Sequence, residues 1–132
     1  MSKNLMTIRQ MGDKFNVTAR TLRFYEAKEL LSPIREGQKR LFTKRDQARL
    51  KLILRGKRFG FALEEIRQLL DLYDMGDQQQ TQLRATYETG QRHLKTLKSR
   101  HRELEESIRD LTEQLEWGAK MLASFQAKDA AE

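Results

Sequence analysis

Apolar residues near the start of the chain recur at helical spacing. Ile8, Met11 and Phe15 follow one another at intervals of three and four residues, which places them on one face of a helix. Thr7 and Gln10 fit a capping box at the beginning of this helix, with the threonine as N-cap and the glutamine reaching back. The pattern therefore predicts a first amphipathic helix from about residue 8.

A tight turn and a second helix follow directly. Asn16 tolerates the left-handed backbone conformation that a tight turn needs. Thr18 is a favourable N-cap, and Val17 can pack onto Leu22 across that cap. A helix, a short turn and a second helix together predict a helix-turn-helix.

The polar pattern after the second helix predicts a short β-hairpin and two more helices. Pro33 disfavours helix in the residue before it, so the second helix ends within 30–33. Residues 35–42, with Gly37 at the turn, predict a two-stranded wing. Thr43 caps a third helix, which breaks at 59–61. The residues predicted to be buried in the third and fourth helices are Leu50, Ile53, Leu54, Leu63, Ile66, Leu69 and Leu70.

A heptad repeat occupies the C-terminal part of the chain. Apolar residues alternate at intervals of four and three from Leu83 to Phe125, and ten of the thirteen seam positions are apolar. Such a stripe is buried only against a partner helix, so it predicts a coiled coil between two chains. His101 interrupts the seam as a polar residue that can set its register. The predicted dimerisation residues are Leu83, Tyr87, Leu94, Leu97, His101, Leu104, Ile108, Leu111, Leu115 and Leu122.

These elements predict a mainly α chain with two functional parts. Residues 1–75 are predicted to form a winged helix-turn-helix DNA-binding domain. Residues 76–126 are predicted to form the long coiled-coil dimerisation helix, with a linker near 74–80, and residues 127–132 a flexible tail.

Charge is distributed unequally between these parts. The net charge of +7 divides into +8 for residues 1–75, with 17 Lys and Arg against 9 Asp and Glu, and −1 for residues 76–132. A basic domain beside a near-neutral helix indicates a polyanion-binding module joined to a segment with a different role. The alternative is a lysine-rich surface that only keeps the protein in solution.

Composition narrows the class of protein further. Cysteine is absent, which excludes disulfides and thiolate metal sites. His93 and His101 lie eight residues apart, unlike an i, i+4 metal-chelating pair. No apolar run approaches the ~20 residues of a membrane span, and the N-terminus lacks the apolar stretch of a signal peptide. We therefore expect a cytoplasmic protein with no membrane contact, no metal and no cofactor.

The sequence of the second helix carries a family resemblance. Residues 17–26 read Val-Thr-Ala-Arg-Thr-Leu-Arg-Phe-Tyr-Glu. This run resembles the recognition helix of the MerR family of bacterial transcription regulators, where Val-(Ser/Thr)-x-x-Thr-(Leu/Ile)-Arg-Tyr-Tyr-Glu is typical. The segments 30–33, 40–42 and 60–66 are also similar to family motifs, so the resemblance spans about residues 6–72. The run 52–58 is similar to a subgroup associated with branched-chain amino acid and fatty acid breakdown.

The resemblance implies a homodimeric transcription regulator that is bacterial and nucleoid-associated. Family members bind a pseudo-palindromic operator between two promoter elements and distort the overlong spacer so that RNA polymerase can use it. In the resembling helix we expect Thr18, Ala19 and Arg20 nearest the bases, with Thr21 beside them. Arg23 and Tyr25 are expected at phosphates, although the ring of Tyr25 can instead pack in the core.

Further residues are assigned from the wing and the C-terminal helix. The wing residues Arg35, Lys39 and Arg40 are expected at phosphates or in the minor groove. The chain departs from the family at Phe24, because the family has a tyrosine at this position and phenylalanine lacks the tyrosine hydroxyl. The aromatic end of the last helix predicts packing against the partner's winged domain or, alternatively, a small-molecule effector pocket, and its residues are Trp117, Met121 and Phe125.

Two other functions fit parts of the pattern. One is an architectural protein that bends DNA without responding to a signal, and the other is a coiled-coil adaptor whose winged domain binds protein. The resemblance in the recognition helix favours sequence reading, because non-specific benders depend mainly on the minor groove. No nucleophile–base pair, glycine-rich phosphate loop or metal triad is present, so the sequence does not predict an enzyme.

Overall fold

A computed structural model describes residues 4–74 and 80–131 of the chain. It confirms a mainly helical protein with a small sheet and a long C-terminal helix. The predicted linker falls largely outside the described residues. In chain order the elements are β1 (Met6–Thr7), α1 (Ile8–Phe15), α2 (Ala19–Ala27), β2 (Ile34–Glu36), β3 (Lys39–Phe42), α3 (Lys44–Phe59), α4 (Leu63–Asp74) and α5 (Gln80–Ala131).

The helix-turn-helix forms as its caps predict. Thr7 accepts from the Gln10 N–H, and the Gln10 side chain accepts from the Thr7 N–H, which completes the capping box of α1. Asn16 adopts the left-handed conformation, with φ 55° and ψ 50°. The turn is tight enough that a Cβ on Gly12 would lie 2.8 Å from the Val17 carbonyl oxygen, so glycine is required there.

The wing is a three-stranded antiparallel sheet in the order β1-β3-β2. The hairpin of β2 and β3 pairs Arg35 with Arg40 and turns at Gly37, whose φ is 60°. Strand β1 was not predicted, and it pairs Met6 with Phe42 and Thr7 with Leu41. Because β1 leads directly into α1, the wing is joined to the start of the helix-turn-helix.

A single apolar core lies under α1–α4 and β3. Two polar side chains of α3 hold the backbone of residues 30–32, which follow α2. Arg49 donates to the Leu30 carbonyl, and buried Asp46 accepts from the Ser32 N–H. Asp46 also completes a capping box with Thr43 at the start of α3. The fully buried apolar residues are Met11, Leu22, Tyr25, Leu30, Leu31, Phe42, Leu50, Ile53, Ile66 and Leu70.

A corner between α3 and α4 receives the first turns of α5. Gly60 ends α3 with a φ of 87°, a conformation that suits glycine. The His93 ring lies 4.6 Å from the Phe61 ring, centroid to centroid, and its Nε2 lies 3.0 Å from Glu65 Oε1. The same carboxylate oxygen accepts from the Ala62 N–H at 2.7 Å, which is the half of a capping box that does not need a side chain on Ala62.

Helix α5 continues beyond the heptad repeat. It extends to Ala131, so the tail predicted for 127–132 is helical up to that residue. The segment 126–131 contains neither glycine nor proline, and it includes three alanines, which favour helix. Residues 1–93 and 94–132 form two separate compact units. None of the described helices is long and apolar enough to cross a membrane.

Candidate nucleic-acid interface

The anchoring of α2 determines which of its residues face outward. Thr18 caps the helix by accepting from the Thr21 N–H at 3.1 Å. Leu22 and Tyr25 point into the core, with at most 1% of their surfaces exposed. The opposite face of the helix, which carries Arg20 and Arg23, is therefore presented to solvent.

The predicted base-contacting residues occupy the N-terminal turn of α2. Arg20 is exposed and has the long, planar donor group that can bind a guanine edge bidentately. Thr18 is exposed as well, but its hydroxyl bonds the Thr21 hydroxyl at 2.9 Å, so both are occupied within the helix start. Ala19 is half-buried. Arg20 is thus the residue of this turn best placed to contact bases.

Tyr25 lies in the core and not on the outward face. Its hydroxyl oxygen is buried and has no hydrogen-bond partner among the described residues. Its ring packs in the core, and Lys57 Nζ lies 5.9 Å from the ring centroid. The structure therefore replaces the expected phosphate contact of Tyr25 with core packing, the alternative that the sequence left open.

We expect the Tyr25→Phe variant to keep its affinity for DNA within about twofold. Removing a buried hydroxyl that has no partner also removes its desolvation penalty, so the free energy of unfolding should stay equal or rise by about 1 kcal/mol. Urea unfolding and fluorescence anisotropy with labelled operator DNA measure the two quantities. A drop in affinity of more than about fivefold with normal stability would show that the hydroxyl contacts DNA.

Glu26 connects the recognition helix to the wing. Its carboxylate accepts from Arg40 Nε at 2.5 Å and from Arg35 NH1 at 3.1 Å. Arg40 keeps only 22% of its side chain exposed, whereas Arg35 keeps 47%. Arg40 therefore holds the wing on α2, and its expected DNA contact stays a prediction. Arg35 is also held by Glu26, and Lys39 remains exposed next to the hairpin turn.

The electrostatics of this cluster favour an ionised Glu26. Burial by itself raises the pKa of Glu26, but the hydrogen bonds and positive charges of Arg40 and Arg35 outweigh it and hold that pKa below its usual value. A carboxyl group whose pKa falls on folding stabilises the protein above its unfolded pKa, which is about 4.5 here. That stabilisation is lost as the pH falls through the lower, folded pKa.

We expect Glu26→Gln to lower the free energy of unfolding near pH 6.5 by about 1–3 kcal/mol, because charge-assisted hydrogen bonds are lost. Near pH 3 the difference from the parent protein should shrink, since this pH lies below the unfolded pKa, where the stabilisation from the ionised carboxylate is being lost. Urea unfolding at both pH values measures this. Glu113→Gln is a matched control from an exposed position of α5. An equal deficit for Glu26→Gln at both pH values would contradict an ionic contribution.

Other cations lie outside the helix-turn-helix. Arg55, Lys57 and Arg58 are exposed near the end of α3. Glu65, at the start of α4, has a lowered pKa, mainly because its carboxylate accepts from the Ala62 N–H and also because it pairs with His93. Within residues 4–74 and 80–131 no three His, Cys, Asp or Glu side chains come together as a group that could hold a metal ion.

The heptad seam of α5 is exposed in a single chain. Leu104 has 61% of its surface exposed, and His101 Nε2 lies 3.4 Å from Glu105 Oε1 within the helix. An exposed apolar row of this length is unusual on a monomer. The apolar seam residues that are exposed are Leu83, Tyr87, Leu94, Leu104, Ile108, Leu111, Leu115, Leu122 and Phe125. Leu97, another seam residue, is half-buried.

A second apolar group lies near the end of α5. Trp117, Met121 and Phe125 follow one another at four-residue intervals, so they share one side of the helix. All three are exposed, with Trp117 at 62%. Their spacing is compatible both with packing against a partner and with contact to a small molecule.

Comparisons with protein families give matches over both parts of the chain. Residues 6–72 match the family described as MerR HTH family regulatory protein, and residues 47–114 match the family described as MerR, DNA binding. The HTH-type transcriptional regulator HmrR of Rhizobium leguminosarum bv. viciae is 30% identical over 109 residues, which are 82% of this chain and 77% of HmrR. ZntR of Escherichia coli is 39% identical over 67 residues, 49% of this chain and 48% of ZntR.

Solved structures of transcription regulators also resemble most of this chain. HiNmlR, a MerR family regulator lacking the sensor domain and bound to promoter DNA, superposes with a TM-score of 0.61 and 25% identity, over 75% of this chain and 76% of its own. PbrR691 from Ralstonia metallidurans, in complex with lead(II), has a TM-score of 0.60 and 34% identity, over 80% of this chain and 84% of its own. The similarity therefore extends from the winged domain into α5.

Proposed function

The chain belongs to the MerR family of helix-turn-helix transcriptional regulators, and on this premise we propose that it acts as a homodimer on a pseudo-palindromic promoter operator. In this proposal each copy contributes one α2 to the major groove of a half-site, and α5 joins the two copies. The observation that carries the proposal is the outward face of α2, where Arg20 and Arg23 are exposed on a helix anchored by buried Leu22 and Tyr25.

Charge and chemistry support DNA as the partner. The basic residues of the N-terminal part supply the sequence-independent attraction to phosphates that all DNA-binding proteins need. Arg20 supplies the donor geometry that distinguishes guanine from the other bases, and Arg23, exposed on the same helix, is proposed to fix the register by contacting phosphates. Lys39 and Arg35 extend the basic surface onto the wing.

The exposed seam supports a homodimer. Burial of an exposed leucine side chain stabilises a complex by about 1.5–3 kcal/mol. In a homodimer this contribution counts once for each of the two copies of a seam residue. A row of apolar residues such as Leu104, Ile108 and Leu111 therefore favours pairing with a second copy of α5 over exposure to water. A two-fold symmetric dimer explains why the operator should be an inverted repeat.

The proposed mechanism follows from the two recognition helices of one dimer binding the same operator. Each α2 fixes the register of one half-site, so the DNA between them adjusts to the separation that the dimer imposes. We propose that this adjustment distorts the promoter spacer and lets RNA polymerase use the promoter. An effector, if one acts, is proposed to bind near Trp117, Met121 and Phe125. The subgroup linked to branched-chain amino acid and fatty acid breakdown stays a prediction.

Selection of binding sites from random double-stranded DNA, followed by footprinting, tests the proposal. We expect one protected inverted repeat and an affinity that falls steeply with salt concentration. Uniform coverage without a preferred site would instead support the architectural protein. Little affinity and little salt dependence would support the coiled-coil adaptor.

A further inference from the structure

Phe24 is a large apolar side chain on the outward face of α2. It keeps 46% of its surface exposed, although the neighbouring Leu22 and Tyr25 are buried. With 100° of rotation per residue, Phe24 lies close to the line of Arg20 and Ala27 on the helix surface. The solvent-exposed face that carries Arg20 thus also carries an aromatic ring.

The fold does not account for the position of this ring. Phe24 belongs neither to the buried core cluster nor to the half-buried residues packed around it. Its contacts are a tilted approach to the Tyr25 ring, 5.7 Å between centroids, and Lys28 Nζ at 5.7 Å from its own centroid. The ring is therefore available to another molecule that approaches the same face as Arg20.

The chemistry of phenylalanine restricts what that contact can be. Its side chain has no hydrogen-bond donor or acceptor, so it cannot bond phosphate oxygens or the polar edges of bases. Within the major groove the apolar group on a base edge is the C5-methyl group of thymine. A ring one helical turn from Arg20 lies about 6 Å further along the axis, which keeps both side chains within one half-site.

We infer that Phe24 is a specificity-determining residue that packs against a thymine methyl group in the half-site read by Arg20. The inference rests on the proposed function, because it requires α2 to enter the major groove. Recognition at that position then depends on apolar contact and not on hydrogen bonds. Lys28, beside the ring, can contact a phosphate of the same half-site while the ring covers the methyl group.

Deoxyuridine substitution tests this inference, because uracil differs from thymine only by the missing C5-methyl group. Each thymine of the selected operator is replaced singly, and Kd is measured by fluorescence anisotropy with the full chain, Phe24→Ala and Phe59→Ala. Phe59 is a comparably exposed phenylalanine outside α2 and serves as the matched control. Phe24 is exposed, and alanine favours helix, so the variant should fold, which circular dichroism checks.

We expect one thymine per half-site at which uracil weakens binding of the parent protein and of Phe59→Ala by about fourfold, the value of one buried methyl group. In Phe24→Ala the same replacement should change Kd less than about 1.5-fold. Parent binding that is insensitive to uracil at every position would overturn the inference and leave the proposed function intact. Uracil sensitivity that persists in Phe24→Ala would assign the methyl contact to another residue and also overturn it. If no operator can be selected, the proposed function itself fails.

Discussion

Replacing Arg20 by alanine is expected to weaken binding of the homodimer to the selected operator by at least about 30-fold, because each half-site loses a bidentate arginine–guanine contact that contributes about 1–3 kcal/mol of discrimination. The variant should fold normally, since Arg20 is exposed and alanine favours helix. Binding to unrelated DNA should change much less, because that binding depends on phosphate contacts. Fluorescence anisotropy with the operator and with a scrambled duplex measures both affinities at one salt concentration.

The control for Arg20→Ala is Arg109→Ala, which removes the same charge from an exposed position of α5 outside the seam. Its operator affinity should stay within about twofold of the parent protein. Equal losses for Arg20→Ala on operator and scrambled DNA would mean that Arg20 contacts only phosphates. An unchanged operator affinity for Arg20→Ala would remove this arginine from the interface altogether.

Replacing Leu104 by lysine is expected to raise the dissociation constant of the homodimer by at least about 100-fold. The substitution removes an apolar side chain from both copies, each worth about 1.5–3 kcal/mol when buried, and it introduces two charges into the seam. Sedimentation equilibrium measures the dissociation constant. Because the two half-sites would no longer be bound cooperatively, operator affinity should fall as well.

Glu106→Lys is the matched control, because it introduces a lysine two residues from Leu104 on the outer side of α5. Its dimer should dissociate within a few-fold of the parent value. A Leu104→Lys protein that remains dimeric at low concentration would show that the heptad seam is not the dimer interface. A parent protein that is monomeric throughout would contradict the homodimer itself.

The helix starts and turns were predictable because their signals are local. Thr7, Thr18 and Thr43 begin helices as expected, since an N-cap needs only a side chain and the N–H groups a few residues ahead. Asn16 and Gly60 adopt left-handed conformations for equally local reasons. The family resemblance carried by residues 17–26 was confirmed, since residues 6–72 match the MerR HTH family.

The parts of the site that depend on distant residues were not predictable. Glu26 and Arg40 are fourteen residues apart in different elements, and no spacing rule joins a helix to a strand at that separation. Strand β1 has only two residues and is defined by its partner β3. Tyr25 illustrates a third limit, because an amphipathic aromatic ring fits both the core and a DNA backbone, and tertiary packing decides between them.

Three side chains of α2 suggest separate tasks within one half-site. Arg20 is proposed to read a guanine, Phe24 a thymine methyl group, and Glu26 holds the wing that carries Lys39. Only the last of these is an intramolecular contact, so its loss should affect stability as well as binding. Variants at the three positions can therefore be distinguished by combining unfolding and binding measurements.

Native mass spectrometry of the chain with its selected operator tests the central claim most directly. The account predicts a complex of one duplex with two chains, formed on the intact inverted repeat and strongly reduced when one half-site is scrambled. A complex with a single chain, or a series of stoichiometries that is indifferent to the scrambled half-site, would contradict a homodimer that reads a pseudo-palindromic operator.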